Sequence, residues 1–314
     1  MIISVIIPLK DEEENIGQLF SELNQVFANI SYEKEVIFVN DGSIDKSSEK
    51  IITLIAGNPS FKLINFRKNF GQTAAISAGI DNSDGDIIIL MDGDLQNDPA
   101  DIPKLLNKIN EGFDVVSGWR KNRQDKLFSR KLPSWLANSL ISKITKVPLH
   151  DYGCTLKAYR ADVIKNTRLY GEMHRFIPAY ASWYGAKITE IEVNHRARQF
   201  GQTKYNIFRT FKVVLDLIVV IFLSKYIDKP IHFFGKIGFW SLFFGFLSGI
   251  FTLYLKLAEG KSFISTPMPL LTVVFIIIGI QFILMGLLAE ILTRIYFESN
   301  HKKVYLIKEK INFS

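Results

Sequence analysis

A single cysteine, Cys154, stands among 314 residues. The chain therefore builds no internal disulfide and no cysteine-rich zinc site, and it is not a secreted disulfide scaffold. Its polar part suits a reducing cytosol. Histidines are also few, five in all, and His150, His174 and His195 show no metal-ligand spacing. A basic leader is missing too: Met1 to Pro8 is apolar but runs straight into Lys10, Asp11, Glu12, Glu13 and Glu14, which reads as a first β-strand and not as a signal peptide. Neither G-x-x-x-x-G-K-[ST] nor a G-x-G-x-x-G after the first strand occurs, so the two common phosphate loops are excluded. No internal repeat or low-complexity segment is present.

Apolar residues are abundant. They make up 48% of the chain against 22% charged residues, and mean hydropathy is +0.14, greasier than most soluble enzymes. Residues 237–255 hold 19 positions without a charge, enough at about 1.5 Å per residue to cross a core of roughly 30 Å. Residues 267–289 do the same. Transmembrane helices are expected at 233–258 and 266–293, with a basic tail at 294–314. Lysine and arginine flank both ends of the pair (Arg209, Lys212, Lys225, Lys229, Lys236, then Arg294, Lys302, Lys303, Lys308, Lys310), which by the positive-inside bias places the catalytic domain and both termini in the cytoplasm. The spans form a hairpin in the cell membrane. A shorter apolar run, Val213 to Leu223, is broken by Asp216 and sits in the juxtamembrane stretch 205–232; it reads as an amphipathic interfacial helix or as a helix packed on the globular domain.

In residues 1–204, short Val/Ile/Phe-rich runs alternate with helical patterns. Strands are expected at Ile2–Ile7, Glu35–Asn40, Lys62–Phe66, Asp86–Met91 and Asp114–Ser117. A capping box, Asp11 with Glu14, precedes Ile16, Leu19, Phe20, Leu23 and Phe27 at helical spacing. Another helix begins at Asp98-Pro99. Alternation of this kind makes an α/β domain with a mainly parallel, Rossmann-like sheet, expected to fold as one unit, and ligands then bind beyond the carboxyl ends of its strands.

Those ends carry the chemistry. The second strand runs into Asn40-Asp41-Gly42-Ser43 and the fourth into Met91-Asp92-Gly93-Asp94-Leu95-Gln96. Two carboxylates one residue apart after a buried strand can hold a hard divalent cation, with phosphate oxygens completing its shell; Asp-Gly-Asp also suits an ordinary turn.

Together with Pro8-Leu9-Lys10-Asp11-Glu12 and Arg67-Lys68-Asn69-Phe70-Gly71-Gln72-Thr73-Ala74-Ala75, these motifs resemble the GT-A fold, family 2 glycosyltransferases. Similarity is greatest to the polyprenyl-phosphate branch, dolichyl-phosphate mannose synthases and bactoprenol glucosyltransferases, over residues 1 to about 210 and, for the latter, the two-helix hairpin. The resemblance implies that Pro8, Glu12, Asp41 and Asp92 bind the nucleotide of a nucleotide diphosphate sugar, and that Asp92, Asp94 and Gln96 hold Mg²⁺ or Mn²⁺. Asp94, Arg120 and Asp151 are the implied catalytic residues: Arg120 stabilises the departing diphosphate, and Asp151 orients the acceptor or accepts its last proton. Asp11 departs from the usual Asn, and Gly93 from the common Ala, a change expected to loosen the metal turn.

Basic residues cluster twice more. Residues 118–146 hold eight Lys/Arg and one acid, and residues 195–212 five and none. Beside a diphosphate-type site and an anchor, these point to a lipid phosphate and away from nucleic acid. Arg130, Arg196, Arg198 and Lys204 are the expected acceptor-phosphate contacts, the last three lying in a loop with Gly201, Thr203 and Tyr205 that resembles the family's. The resulting reading is a membrane-anchored inverting transferase moving a hexose, glucose from UDP-glucose first, to polyprenyl (undecaprenyl) phosphate, with a β-linked product; mannosyl or amino-sugar transfer is the alternative. A processive polysaccharide synthase would want Q-x-x-R-W and more spans. A non-catalytic nucleotide-binding membrane scaffold would have lost Asp92, Asp94 or Gln96. The resemblance suggests a homo-oligomer, which the residues themselves leave open.

Overall fold

The computed structural model describes residues 1–121, 138, 141, 142, 145, 147–167, 173–197, 230–298 and 305–313. In chain order the elements are β1 (Ile2–Leu9), α1 (Glu13–Ala28), β2 (Glu33–Asn40), α2 (Ser47–Ile55), β3 (Phe61–Phe66), α3 (Gln72–Asp81), β4 (Ile87–Leu90), α4 (Ile102–Asn110), β5 (Val115–Trp119), β6 (Lys157–Arg160), α5 (Ala161–Ile164), α6 (Ile177–Trp183), β7 (Ile188–Glu192), α7 (Ile231–Ala258), α8 (Met268–Glu298) and β8 (Ile307–Ile311). Short 3₁₀ turns lie at Pro99–Asp101 and Met173–Phe176.

Among the described residues the strands form one eight-stranded sheet in the order β7-β5-β6-β4-β1-β2-β3-β8. β4, β1, β2 and β3 run parallel, while β6 and β8 enter antiparallel. Ile3, Val5, Ile6 and Ile7 in β1 and Val36, Ile37, Phe38 and Val39 in β2 have no exposed surface. Strands covered on both faces need no polar alternation, which is why they read as unbroken apolar runs. On α1, Ile16, Leu19, Leu23 and Phe27 are buried; steps of three and four residues put them on one face, and burying each such side chain contributes about 1.5–3 kcal/mol. α3 lies closest to the sheet: a Cβ on Gly79 would stand 2.3 Å from Ile6 Cγ2.

The strand order turns back between β1 and β4, with β2 and β3 on one side and β6, β5 and β7 on the other. Register pairs Leu9 with Asn40 and Asn40 with Asn65, so the loops after β1, β2 and β3 leave the same edge, next to the loop after β4. That is the switch-point crevice of an open parallel sheet.

Two expectations change. The capping box does not form: α1 starts at Glu13, Glu12 is its N-cap and no side chain caps it locally. Asp11 sits at φ 56°, and its Oδ1 accepts from Ile44 N. The free N–H groups are met from the next loop, Glu12 N by Ser47 Oγ (3.0 Å) and Glu13 N by Asp45 Oδ2 (3.1 Å). Asp and Asn tolerate the left-handed region better than other side chains, so Asp11 fills a position where Asn is usual. The second change is at the far end. Residues 307–311, expected within a basic tail, pair with β3 and complete the sheet edge.

α7 and α8 make a separate compact unit from the sheet domain, to which β8 belongs. Ile231–Ala258 and Met268–Leu292 are long and apolar enough to cross a membrane, and only 22% and 11% of the respective windows are buried, unlike core helices of a soluble domain. The pair packs through small residues. A Cβ on Gly238 would stand 2.8 Å from Gly279 O, and one on Gly279 2.6 Å from Leu242 Cγ. Ser241 Oγ donates to Phe275 O at 2.8 Å. Close backbone approach with polar seams is how helices adhere where no hydrophobic force drives them together. The juxtamembrane stretch 205–229 lies outside the described residues.

Candidate active site

Two loops meet first. Gly42 has φ 65°, and a Cβ there would fall 2.5 Å from Lys68 C and 2.6 Å from Asn69 N, so only glycine lets the Asn40–Ser43 turn touch the Arg67–Gly71 backbone. Beside it, Asp41 Oδ1 accepts from Phe70 N (2.7 Å) and Oδ2 from Gly71 N (2.9 Å). Burial raises its pKa, against the lowering effect of those two donors. Asp41 thus fastens the loop that starts α3. Ser43 Oγ accepts from Asp11 N at 2.9 Å, and Glu12 accepts from the Asn15 side chain. Pro8 is buried, and its carbonyl oxygen lies 3.7 Å from where Gly93 would carry a Cβ. Leu9 Cβ lies at 3.3 Å from the same point, so the turn of Asp92, Gly93 and Asp94 is seated tightly against the end of β1 despite the missing methyl.

Asp92 and Asp94 are brought together over this crevice. Asp92 Oδ1 accepts from Gln72 Nε2 (2.7 Å) and Oδ2 from Thr155 Oγ1 (2.5 Å). Burial, then the neighbouring Asp94 charge, push its carboxyl up to about 6, with Thr155, Arg120 and Lys157 opposing. A buried carboxylate beside a second negative charge is relieved by a cation, and carboxylate oxygens are the donors Mg²⁺ and Mn²⁺ favour. Among the described residues no three His, Cys, Asp or Glu side chains gather as a metal site. The donor set therefore fits a cation shared with phosphate oxygens rather than one caged by protein. Gln96 lies at the same turn, its backbone N donating to Asp94 Oδ1 (3.2 Å) and its carbonyl accepting from Arg196 N (3.0 Å).

Arg120 and Asp151 form a fork, Nε to Oδ2 at 2.7 Å and Nη2 to Oδ1 at 3.0 Å, with Asp151 also accepting from Gly153 N at 3.1 Å. Asp151 is 3% exposed. Burial opposes the Arg120 charge, but Asp151 outweighs it and holds the guanidinium above its ordinary pKa. Asp151, expected to orient the acceptor or take its last proton, holds Arg120 through both oxygens. The residues unforeseen from sequence are Gln72, Thr155 and Lys157. Lys157, 2% exposed, donates to the carbonyls of Tyr152 and Cys154, tying down the segment that carries both Asp151 and Thr155. Burial lowers its pKa to about 8. Cys154 is a packed thiol, pushed up to about 11 by burial.

Arg196, one of the expected acceptor-phosphate contacts, has partners within the domain. Its Nη1 donates to both Glu22 oxygens (2.8 and 2.7 Å) and its Nη2 lies 2.8 Å from Asp98 Oδ1, while Asn194 Nδ2 donates to Asp98 Oδ2 (2.9 Å). The guanidinium joins the segment after β7 to α1 and to the Pro99 turn. Arg130, Arg198 and Lys204 lie outside the described residues. His174 Nδ1 meets Thr73 Oγ1 at 2.7 Å, next to Gln72.

The Glycosyl transferase family 2 model matches residues 4–168. The dodecaprenyl-phosphate galacturonate synthase of Rhizobium johnstonii is 41% identical over 98% of this chain and 92% of its own. The undecaprenyl-phosphate 4-deoxy-4-formamido-L-arabinose transferase of Salmonella choleraesuis is 36% identical over 98% and 93%. Among solved structures, the glucosyl-3-phosphoglycerate synthase of Mycobacterium tuberculosis with Mn²⁺ and UDP-glucose superposes with a TM-score of 0.55 at 15% identity, over 71% of this chain and 78% of that one; at that identity the likeness is one of fold.

Proposed function

The chain belongs to glycosyl transferase family 2, and from that premise we propose that it transfers a sugar from a nucleoside diphosphate to a membrane polyprenyl phosphate. The observation that carries the reading is the Asp92–Asp94 pair at the sheet's switch point, with Asp92 held by Gln72 and Thr155. Pro8, Glu12 and Asp41 are assigned to the nucleoside side of that crevice. Asp92, Asp94 and Gln96 are assigned to a Mg²⁺ or Mn²⁺ ion, which when bound neutralises the departing diphosphate. The lipid phosphate needs little activation, because its second pKa is near 6 and it is already an anion at neutral pH. A phosphate oxygen attacks the anomeric carbon in line, the bond to the diphosphate breaks, and the configuration inverts. Arg120, set by Asp151, offers its remaining N–H groups to the leaving diphosphate.

For the sugar, both full-length relatives are named for modified pyranoses, one a uronic acid and one an amino sugar, which favours such a donor over the glucose suggested by the family resemblance. Arg130, Arg198 and Lys204 are assigned to acceptor phosphate. Purified full-length protein with polyprenyl phosphate should form a sugar–phosphate lipid from one member of a panel comprising UDP-galacturonate, UDP-4-formamido-arabinose, UDP-glucose and GDP-mannose, and lose it in excess chelator. Turnover with none of a full set of UDP- and GDP-sugars would favour the non-catalytic scaffold. Undiminished turnover in chelator would remove the metal.

A further inference from the structure

We infer that Glu309, on the strand that follows the membrane hairpin, is a positioning residue for the nucleoside end of the donor site; the inference rests on the assignment of the Asn40–Ser43 turn to the nucleoside. β8 pairs Asn65 with Glu309 across the sheet edge. Asn65 Nδ2 donates to Glu309 Oε1 at 2.7 Å. Asn65 Oδ1 accepts from Asn40 Nδ2 (2.9 Å) and from Ser48 Oγ (3.1 Å). Asn40 Oδ1 in turn accepts from Ser43 N at 3.0 Å, inside the turn whose Asp41 and Gly42 hold the Arg67–Gly71 loop. Asn40 and Asn65 are 5% and 3% exposed, so each carboxamide depends on its neighbour for satisfaction.

A carboxylate only accepts, whereas a carboxamide can present either end. Glu309 therefore fixes which way Asn65 faces, Asn65 fixes Asn40, and Asn40 places an acceptor, not a second donor, against the Ser43 N–H. The strand itself is held independently of Glu309. Tyr305 OH donates to Asp81 (2.6 Å) and its ring stacks on Phe66 with centroids 5.4 Å apart, and Asn312 Nδ2 donates to Phe61 O at 2.8 Å.

The test is calorimetric binding of UDP, with GDP as a parallel arm, in Mg²⁺ to the full-length protein in detergent, with melting temperature recorded for each variant. Glu309→Gln keeps an acceptor but can also turn a donor toward Asn65, so it should bind between the parent and Glu309→Ala. Glu309→Ala should weaken nucleotide binding by about three- to tenfold, the range a lost internal hydrogen bond spans. Glu309→Lys should weaken it more, because a donor reverses both amides and sets Asn40 Nδ2 against Ser43 N–H. All three should melt within a few degrees of the parent. A field effect alone predicts the opposite sign, since a lysine draws an anionic nucleotide. Tighter binding by Glu309→Lys, or parental binding by Glu309→Ala, overturns the inference where Asp41→Asn impairs binding. If Asp41→Asn binds as the parent does, the nucleoside assignment of the turn fails, and the role of Glu309 falls with it.

Discussion

Asp94→Asn leaves the turn's shape and removes one of two charges facing the proposed cation. Turnover should drop by about three orders of magnitude, equivalent to roughly 4 kcal/mol of lost charge stabilisation, while the melting temperature holds or rises as the crowding on Asp92 is relieved; a radiolabelled-sugar transfer assay beside a thermal melt checks both. Lys157 acts on the same centre from below. Its folded pKa, about 8, lies under the ordinary 10.5, so between those values the unfolded chain binds more protons and stability gains with rising pH from this group. Lys157→Met should lose that gain, flattening the pH dependence of unfolding between about 8 and 10.5. The carboxylate pair was legible because D-x-D is a local pattern on a local turn. Gln72 and Thr155 reach Asp92 from 20 and 63 residues away; Gln72 lies in a motif that marks the family without pointing to Asp92, and nothing in the immediate sequence of Thr155 marks it. The partner of Arg196 was hidden for the same reason: in an acid-free neighbourhood nothing points to Glu22, 174 residues upstream.

At the scale of elements, the five strands expected from sequence all exist, with ends displaced by one or two residues. Their burial on both faces writes an apolar run that survives any uncertainty in register. β6, β7 and β8 escaped notice because they are short or carry alternating charge, as in Ile307–Ile311, whose central three residues are exposed. The capping box failed where tertiary donors and acceptors outcompeted a local motif. The eighth strand also changes what a truncation does. A chain ending near Lys204 loses the strand with the helices, baring the edge of β3 and taking the Glu309 acceptor from Asn65 Nδ2, so it should melt lower and bind nucleotide poorly. A chain in which a flexible linker replaces 230–298 but 305–313 remains should keep nucleotide affinity and lose efficient transfer to long-chain lipid. Equal nucleotide binding by the two would refute this division.

For the whole molecule, the helix pair turns apolar surface outward along its length, Phe239, Phe246, Ile277 and Leu288 each being 57–66% exposed. Water-soluble monomers rarely expose contiguous apolar surface on this scale. The protein should float with liposomes in a density gradient and resist extraction by high salt, and deletion of 230–298 should leave it in the soluble fraction; release of the intact protein by salt alone would mean a peripheral attachment. This division between a greasy hairpin and a polar domain was readable from composition, whereas the return of the chain to the sheet was not.

That return sets a timetable for biosynthesis. Leu63 pairs with Ile311, so β3 must wait for 248 further residues to be translated, roughly 12–50 s at the usual elongation rates. Both apolar helices precede the final strand in the chain, so they are synthesised before it can dock. A nascent chain stalled or cleaved after the hairpin thus holds both apolar helices but lacks the strand that completes the sheet beside β3, and the Asn65–Glu309 bond can form only when synthesis is all but complete.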